Sequence, residues 1–157
     1  MDGPQAGDSA PDFSLEGDGG PVTLAGLRGK AVVLYFYPKD DTSGCTAEAK
    51  GFSEMAADFA RAGAVVVGVS KDTVASHAKF RAKYALEPVL ASDPDGKVVE
   101  AYGVWVEKSL YGRKYMGIER ATFLIDRSGA IAKAWRRVRV AGHVNEVLAA
   151  AQSLAEV

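Results

Sequence analysis

The stretch YPKDDTSGCTAEAKGF, residues 37–52, carries the only cysteine of the chain, Cys45, with Thr42 and Pro38 ahead of it. The residues after it favour helix, which places Cys45 in a first helical turn. There, unpaired backbone N–H groups and the positive end of the helix dipole favour an anion. Only a thiolate is a competent nucleophile. The competing reading is a small buried hydrophobe, since Cys45 also falls on the apolar stripe of that helix. The available chemistry narrows by elimination. A cysteine hydrolase needs a histidine to take and return a proton. The two histidines, His77 and His143, lie inside a helix pattern and at a helix start. Neither has a partner motif, so both read as surface or packing residues. A lone cysteine with two scattered histidines gives no metal-ligand spacing. A dithiol would need Cys-x-x-Cys, and position 42 is threonine. What remains is a thiolate reacting with something that needs no proton abstracted from a substrate nucleophile. A peroxide suits: the sulfur attacks one oxygen, the other leaves, and the cysteine becomes a sulfenic acid.

The elements that must hold this thiol are legible around it. AVVLYFY (Ala31 to Tyr37) and AVVVGV (Ala64 to Val69) are short apolar runs without alternation, the pattern of strands covered on both faces. Between them Cys45, Ala49, Phe52, Met55 or Ala56, and Phe59 recur at helical steps, and Gly63 reads as the C-cap. Strand, helix and strand of this length predict a right-handed βαβ unit. KDTVASHAKFRAKYAL predicts a second helix capped by Asp72, PVLAS a short strand, and DPDGKVVEAYGV a turn with a short helix. RATFLID and AIAKAWRRV flank DRSG as a hairpin, and DFSLEGDGGPVTL predicts another near the start. From His143 onward, Val144, Val147, Leu148, Ala151 and Leu154 share one helical stripe. This order predicts an α/β, thioredoxin-like fold: a central mixed sheet flanked by helices, with an N-terminal hairpin.

Bulk properties bound the function. A chain of 157 residues fits one domain spanning residues 1–157, and can bury its core without a metal or disulfide staple. The net charge of −1 gives no global steering towards nucleic acid or anionic lipid. No signal-like start and no long apolar run appear, which leads to the expectation of a cytoplasmic protein without membrane contact.

YFYPKDDTSGCTAEA resembles the peroxiredoxin signature Pro-x-x-x-Thr-x-x-Cys through Pro38, Thr42 and Cys45. YGVWVEKSLYGRKYMGIERATFLID is similar to the corresponding block of the bacterioferritin comigratory protein (PrxQ) subfamily, whose arginine falls on Arg120. The likeness runs from about Gly7 to the C-terminal helix. It implies a thiol-dependent peroxidase acting on hydrogen peroxide and organic hydroperoxides, with no metal, flavin or haem. Cys45 would be the peroxidatic thiolate, and Arg120 would favour the charged sulfur and bond a peroxide oxygen. Thr42 would accept a hydrogen bond from the peroxide, Pro38 would shield the site, and backbone N–H groups near Gly44 and Cys45 would complete the cradle. Glu48 would orient Arg120 or, equally, face solvent as an acid of the first turns.

The subfamily's resolving cysteine is absent: its two usual places correspond to Lys50 and about Arg81. The resemblance therefore implies a single-cysteine mechanism with an external thiol as reductant: thioredoxin, glutaredoxin with glutathione, another low-molecular-weight thiol, or a lipoyl protein. The expected state of the chain is a monomer. Lys50 reads as a solvated helix residue or as a lure for an acidic thiol. Ser43 replaces the usual proline and would ease unwinding of the first turn. A non-enzymatic redox sensor or holdase chaperone on the same fold is the alternative. Of the remaining features, the arginines of AWRRVRV read as edge-strand charge, KDD as a solvated turn, and Trp105 and Trp135 as packing residues.

Overall fold

A computed structural model describes residues 3–155. β1 (Ser14–Gly17) and β2 (Gly20–Thr23) form the N-terminal hairpin. β3 (Ala31–Phe36), α1 (Ser43–Glu54), α2 (Ala56–Arg61) and β4 (Ala64–Ser70) make the βαβ unit, and β3 and β4 pair in parallel. α3 (Val74–Tyr84), β5 (Val89–Ser92) and α4 (Lys97–Ala101) follow. β6 (Trp105–Leu110) pairs with β7 (Arg113–Ile118), then come β8 (Ala121–Ile125), β9 (Ile131–Trp135) and α5 (His143–Ala155). The seven-stranded sheet runs β2-β1-β5-β4-β3-β8-β9, with β3, β4 and β5 parallel and the outer strands antiparallel. This is the thioredoxin-like mixed sheet expected from the sequence.

β3 is the middle of the core because both of its faces are apolar. Val33, Tyr35 and Tyr37 join one hydrophobic cluster with Phe52, Phe59, Phe80 and Val147, while Val32, Leu34 and Phe36 join another with Val99, Tyr102 and Phe123. Two packed faces leave only the ends of the strands open. In such sheets the crevice beyond the carboxyl ends of the parallel strands is where side chains converge on a ligand. The β3–α1 segment, residues 37–42, leaves the sheet there.

Several local features depart from the sequence reading. The helix expected through Phe59 breaks at Met55 (φ −100°, ψ 11°) into α1 and α2. Ser53 Oγ donates to Ala49 O at 2.8 Å, a back-bond that competes with helical pairing and bends the chain. Gly63 takes φ 75° after α2, the left-handed cap that glycine adopts without strain. The cap of α3 is Thr73, whose Oγ1 accepts from Ser76 N, and not Asp72. Asp72 instead accepts from Ser70 Oγ (2.6 Å) and from Asp40 N (2.9 Å). The β6–β7 hairpin has no counterpart in the sequence reading; Tyr111 and Gly112 turn it, both at positive φ.

The arginine-rich segment also differs. β9 is an edge strand, but it ends at Trp135, before the arginines. Arg136 grips Glu119 with two bonds, Nε to Oε2 at 2.6 Å and Nη2 to Oε1 at 3.0 Å, and also donates to Gly103 O. Burial opposes ionisation of Glu119, but bonds from Arg136 and from the Arg137 amide outweigh it and hold the carboxyl below its ordinary range. Trp105 and Trp135 do pack, against the core clusters on the two faces of the sheet.

Candidate active site

α1 sets the site. Its N-cap is Thr42 by backbone geometry, and the first amide paired along the helix is Thr46 N, to Thr42 O at 2.8 Å. The amides of Gly44 and Cys45 precede it and are directed out of the helix end, as helix geometry requires. Cys45 is 1% exposed, with its side chain in the cluster that holds Tyr35, Tyr37, Ala49 and Phe52.

Arg120, just before β8, reaches across to α1. Nη2 donates to Cys45 Sγ at 3.4 Å, and Nη1 donates to Glu48 Oε1 at 2.6 Å. One guanidinium thus spans the sulfur and the carboxyl, both on the same face of α1. Glu48 is fully buried, which excludes the solvent-facing reading of its side chain. Burial pushes its carboxyl up to about 7 against the pull of Arg120. Burial also works against the charge on Arg120, but Glu48 and Cys45 together outweigh it and hold the guanidinium protonated. Negative charge on the sulfur and on Glu48 draws on the same cation. Glu48 Oε2 and Tyr35 OH have no partner among the described residues.

Gly44 is needed for this approach. A Cβ there would lie 3.1 Å from Arg120 Nη2, so the missing side chain leaves room for the guanidinium at the helix end. Thr42 is exposed, and its Oγ1 donates to Lys39 O at 2.9 Å. A hydroxyl has one proton, so towards any other group Thr42 is an acceptor only. Pro38 is exposed, one residue beyond the buried Tyr37. Ser43 is exposed at the first position of α1.

Arg120 is itself held by its neighbours. Its carbonyl accepts from Val138 N at 2.9 Å, and the adjacent Glu119 is gripped by Arg136. Neither contact was legible in the sequence; the one available signal was the arginine cluster itself.

Other expected positions resolve differently. Lys50 is exposed, with Nζ 5.8 Å from the Tyr84 ring centroid. Arg81 ties the end of α3 to the first hairpin, bonding both carboxylate oxygens of Asp18 and the carbonyls of Leu86 and Pro88. The KDD turn is not solvated throughout. Asp40 is buried against His77, and Asp41 bonds Lys83 and Tyr84. Both histidines are buried: His77 faces Asp40, and His143 Nε2 lies 2.8 Å from Thr122 Oγ1. They are neither surface groups nor partners of Cys45. No cluster of three or more His, Cys, Asp or Glu that could hold a metal, and no helix long and apolar enough to cross a membrane, occurs among the described residues.

A site with these parts has known relatives. The family model for the AhpC/TSA family matches residues 6–134. The chain is 52% identical over 145 residues to a putative peroxiredoxin bcp of Coxiella burnetii, covering 92% of this chain and 96% of that one. It is 46% identical over 153 residues to peroxiredoxin Bcp of Bacillus subtilis, covering 97% and 98%. The solved structure of Xanthomonas campestris peroxiredoxin Q superposes with a TM-score of 0.89 at 43% identity, covering 96% of this chain and 98% of that one. The chain belongs to the AhpC/TSA family, within its Bcp/peroxiredoxin Q branch.

Proposed function

We infer that the protein is a thiol-dependent peroxidase in which Cys45 reduces hydrogen peroxide and organic hydroperoxides by a single-cysteine mechanism. The observation that carries this reading is the Arg120 guanidinium bonded at once to Cys45 Sγ and to buried Glu48, at the start of α1. The thiolate attacks one peroxide oxygen. An S–O bond forms, the O–O bond breaks, and the departing oxygen leaves as hydroxide or alkoxide and takes a proton from water. Arg120 and the Gly44 and Cys45 amides stabilise charge on the oxygens as it develops. Thr42, able only to accept, orients the peroxide by its O–H. Pro38 has no N–H to compete for it. Glu48 keeps the guanidinium in place.

The chain has no second cysteine, so no intramolecular disulfide resolves the sulfenic acid. An external thiol attacks the oxidised sulfur, water leaves, and a second thiol cleaves the mixed disulfide. Thioredoxin, glutaredoxin with glutathione, and other low-molecular-weight thiols fit this step. Cys45, Thr42, Glu48 and Arg120 all come from one chain, so a monomer suffices. A thiol that must be recycled suits the reducing cytoplasm.

Steady-state peroxide consumption with each reductant in turn tests the reading. Many turnovers per chain with at least one thiol are expected, abolished in Cys45→Ser. One oxidation per chain with every thiol would instead support the redox-sensor or holdase alternative.

A further inference from the structure

We propose that His77 and Asp40 are positioning residues forming a proton-dependent latch, through which α3 holds the Cys45 segment closed against bulky thiols. The proposal builds on the peroxidase reading for its purpose, but its geometry is independent of it.

Asp40 lies in the segment that runs from β3 into α1, five residues before Cys45 in the sequence. Its carboxylate accepts from Tyr37 OH at 2.6 Å and from Ser76 Oγ at 2.7 Å, and faces His77 Nδ1 at 2.8 Å. The other ring nitrogen, Nε2, faces Ala91 O at 3.0 Å. A carbonyl oxygen only accepts, so Nε2 must carry a hydrogen. Nδ1 faces a carboxylate that already accepts two hydroxyls, so a second proton must lie there. A neutral imidazole carries one N–H, so the proton between Nδ1 and the carboxyl belongs to the pair. The raised His77 and lowered Asp40 place it on the ring as the imidazolium. His77 is fully buried, so no water substitutes.

α3 grips the next residue as well. Asp41 has φ 59°, a left-handed backbone that non-glycine residues adopt at a cost. Lys83 Nζ (2.8 Å) and Tyr84 OH (2.6 Å) hold its carboxylate there. The segment is pinned to one helix at two consecutive residues, and Thr42 and the first turn of α1 follow directly. Cys45 is only 1% exposed. A thiol with a carbon chain behind its sulfur is far bulkier than a peroxide and cannot bring that sulfur into contact with a residue so buried. Reduction therefore needs the first turn to lift, and the latch opposes lifting.

The titratable groups facing the His77 ring are Asp40 and Tyr37 from the β3–α1 segment and Asp72 from the β4–α3 loop; β5 presents only a carbonyl. Burial works against the charge on His77, but bonding and attraction to Asp40, the Ala91 carbonyl and the charge of Asp72 raise it above 6.5. Burial likewise opposes the Asp40 charge, yet bonds from His77, Tyr37 and Ser76 hold it below 3.8. The His77 contribution is complete below 6.5 and fades as pH rises through its raised value in the fold. The Asp40 contribution is complete above 3.8 and fades as pH falls through its lowered one. The latch is tight between these limits and loosens on the alkaline side, where Nδ1 turns a lone pair towards a carboxylate.

The test uses reduced protein and a maleimide carrying a large polycyclic group. The ratio of its rate at Cys45 to the thiolate fraction, read from ultraviolet absorbance at each pH, reports access alone. In the wild type this ratio should rise by about tenfold or more from pH 6 to pH 9, the factor for losing one charge-assisted hydrogen bond. In Asp40→Asn and His77→Asn it should be high throughout and flat. Ser76→Ala, which keeps the ion pair and removes one bond, should fall between. A wild-type ratio that does not change with pH overturns the proposal, and this arm needs no variant to fold. An equal rise in His77→Asn also overturns it, and assigns the effect to another group, such as Glu48. Failure of Cys45 to oxidise with peroxide would count against the peroxidase reading alone, because the maleimide ratio still decides the latch.

Discussion

Thr42→Val separates positioning from thiol acidity. Valine keeps the branched shape and loses the hydroxyl, whose bond to Lys39 O lies at an exposed position. The Thr42 side chain makes no capping bond to α1, so the fold should lose only about 0.5–1 kcal/mol. The rate should change far more. An ordinary thiol is about 7% ionised near pH 7.4, so ionisation accounts for at most about 14-fold, and a more acidic sulfur is also a weaker nucleophile. Loss of the acceptor that orients the peroxide should slow oxidation of Cys45 by about 100-fold, the scale of misplacing a reacting group by about 1 Å. Rapid-quench mixing with hydrogen peroxide followed by mass analysis gives the rate, and ultraviolet absorbance of the thiolate gives its fraction. If both fall by the same factor, Thr42 acts only through acidity and the argument fails.

Gly44→Ala should keep the fold, since a helix favours alanine, yet slow Cys45 oxidation by about tenfold as the new Cβ pushes the guanidinium aside. An unchanged rate would remove Gly44 from the site. Glu48 is raised from 4.5 to about 7, so the folded state holds its proton more tightly, and stability falls as pH rises through that window by about 3 kcal/mol. Urea titrations of Glu48→Gln should show that loss abolished, so that the variant gains on the wild type between pH 5 and pH 8; parallel curves would contradict the buried titration. Arg136→Ala, which frees Glu119 beside Arg120, should lower stability by about 1–2 kcal/mol and slow Cys45 oxidation measurably. A stability loss with an unaltered rate would show that Arg136 holds the fold and not the site.

The parts of this protein that were legible in sequence are those with a local period or a fixed spacing. β3 and β4 announced themselves as unbroken apolar runs because both of their faces are packed. Cys45 could be placed in a first turn because strand, turn and helix lie in sequence. Glu48 and Arg120 could be named, but whether Glu48 faced Arg120 or solvent depended on a tertiary contact across 72 positions. The Asp40–His77 pair, 37 positions apart, looked like a solvated turn and an unattached histidine, because isolated polar residues carry no periodic signal. The grip of Arg136 on Glu119 was hidden likewise. The break at Met55 was missed for another reason: a serine back-bond bends a helix without interrupting its apolar pattern.

The central claim is that Cys45 attacks peroxide and rests as a sulfenic acid until an outside thiol arrives. Intact mass of the reduced protein after one equivalent of hydrogen peroxide, with dimedone present, tests it most directly. One dimedone adduct per chain, mapped to Cys45 and absent from Cys45→Ser, is the predicted result. A covalent dimer would contradict resolution by an outside thiol, and an unmodified chain would contradict the peroxidase itself.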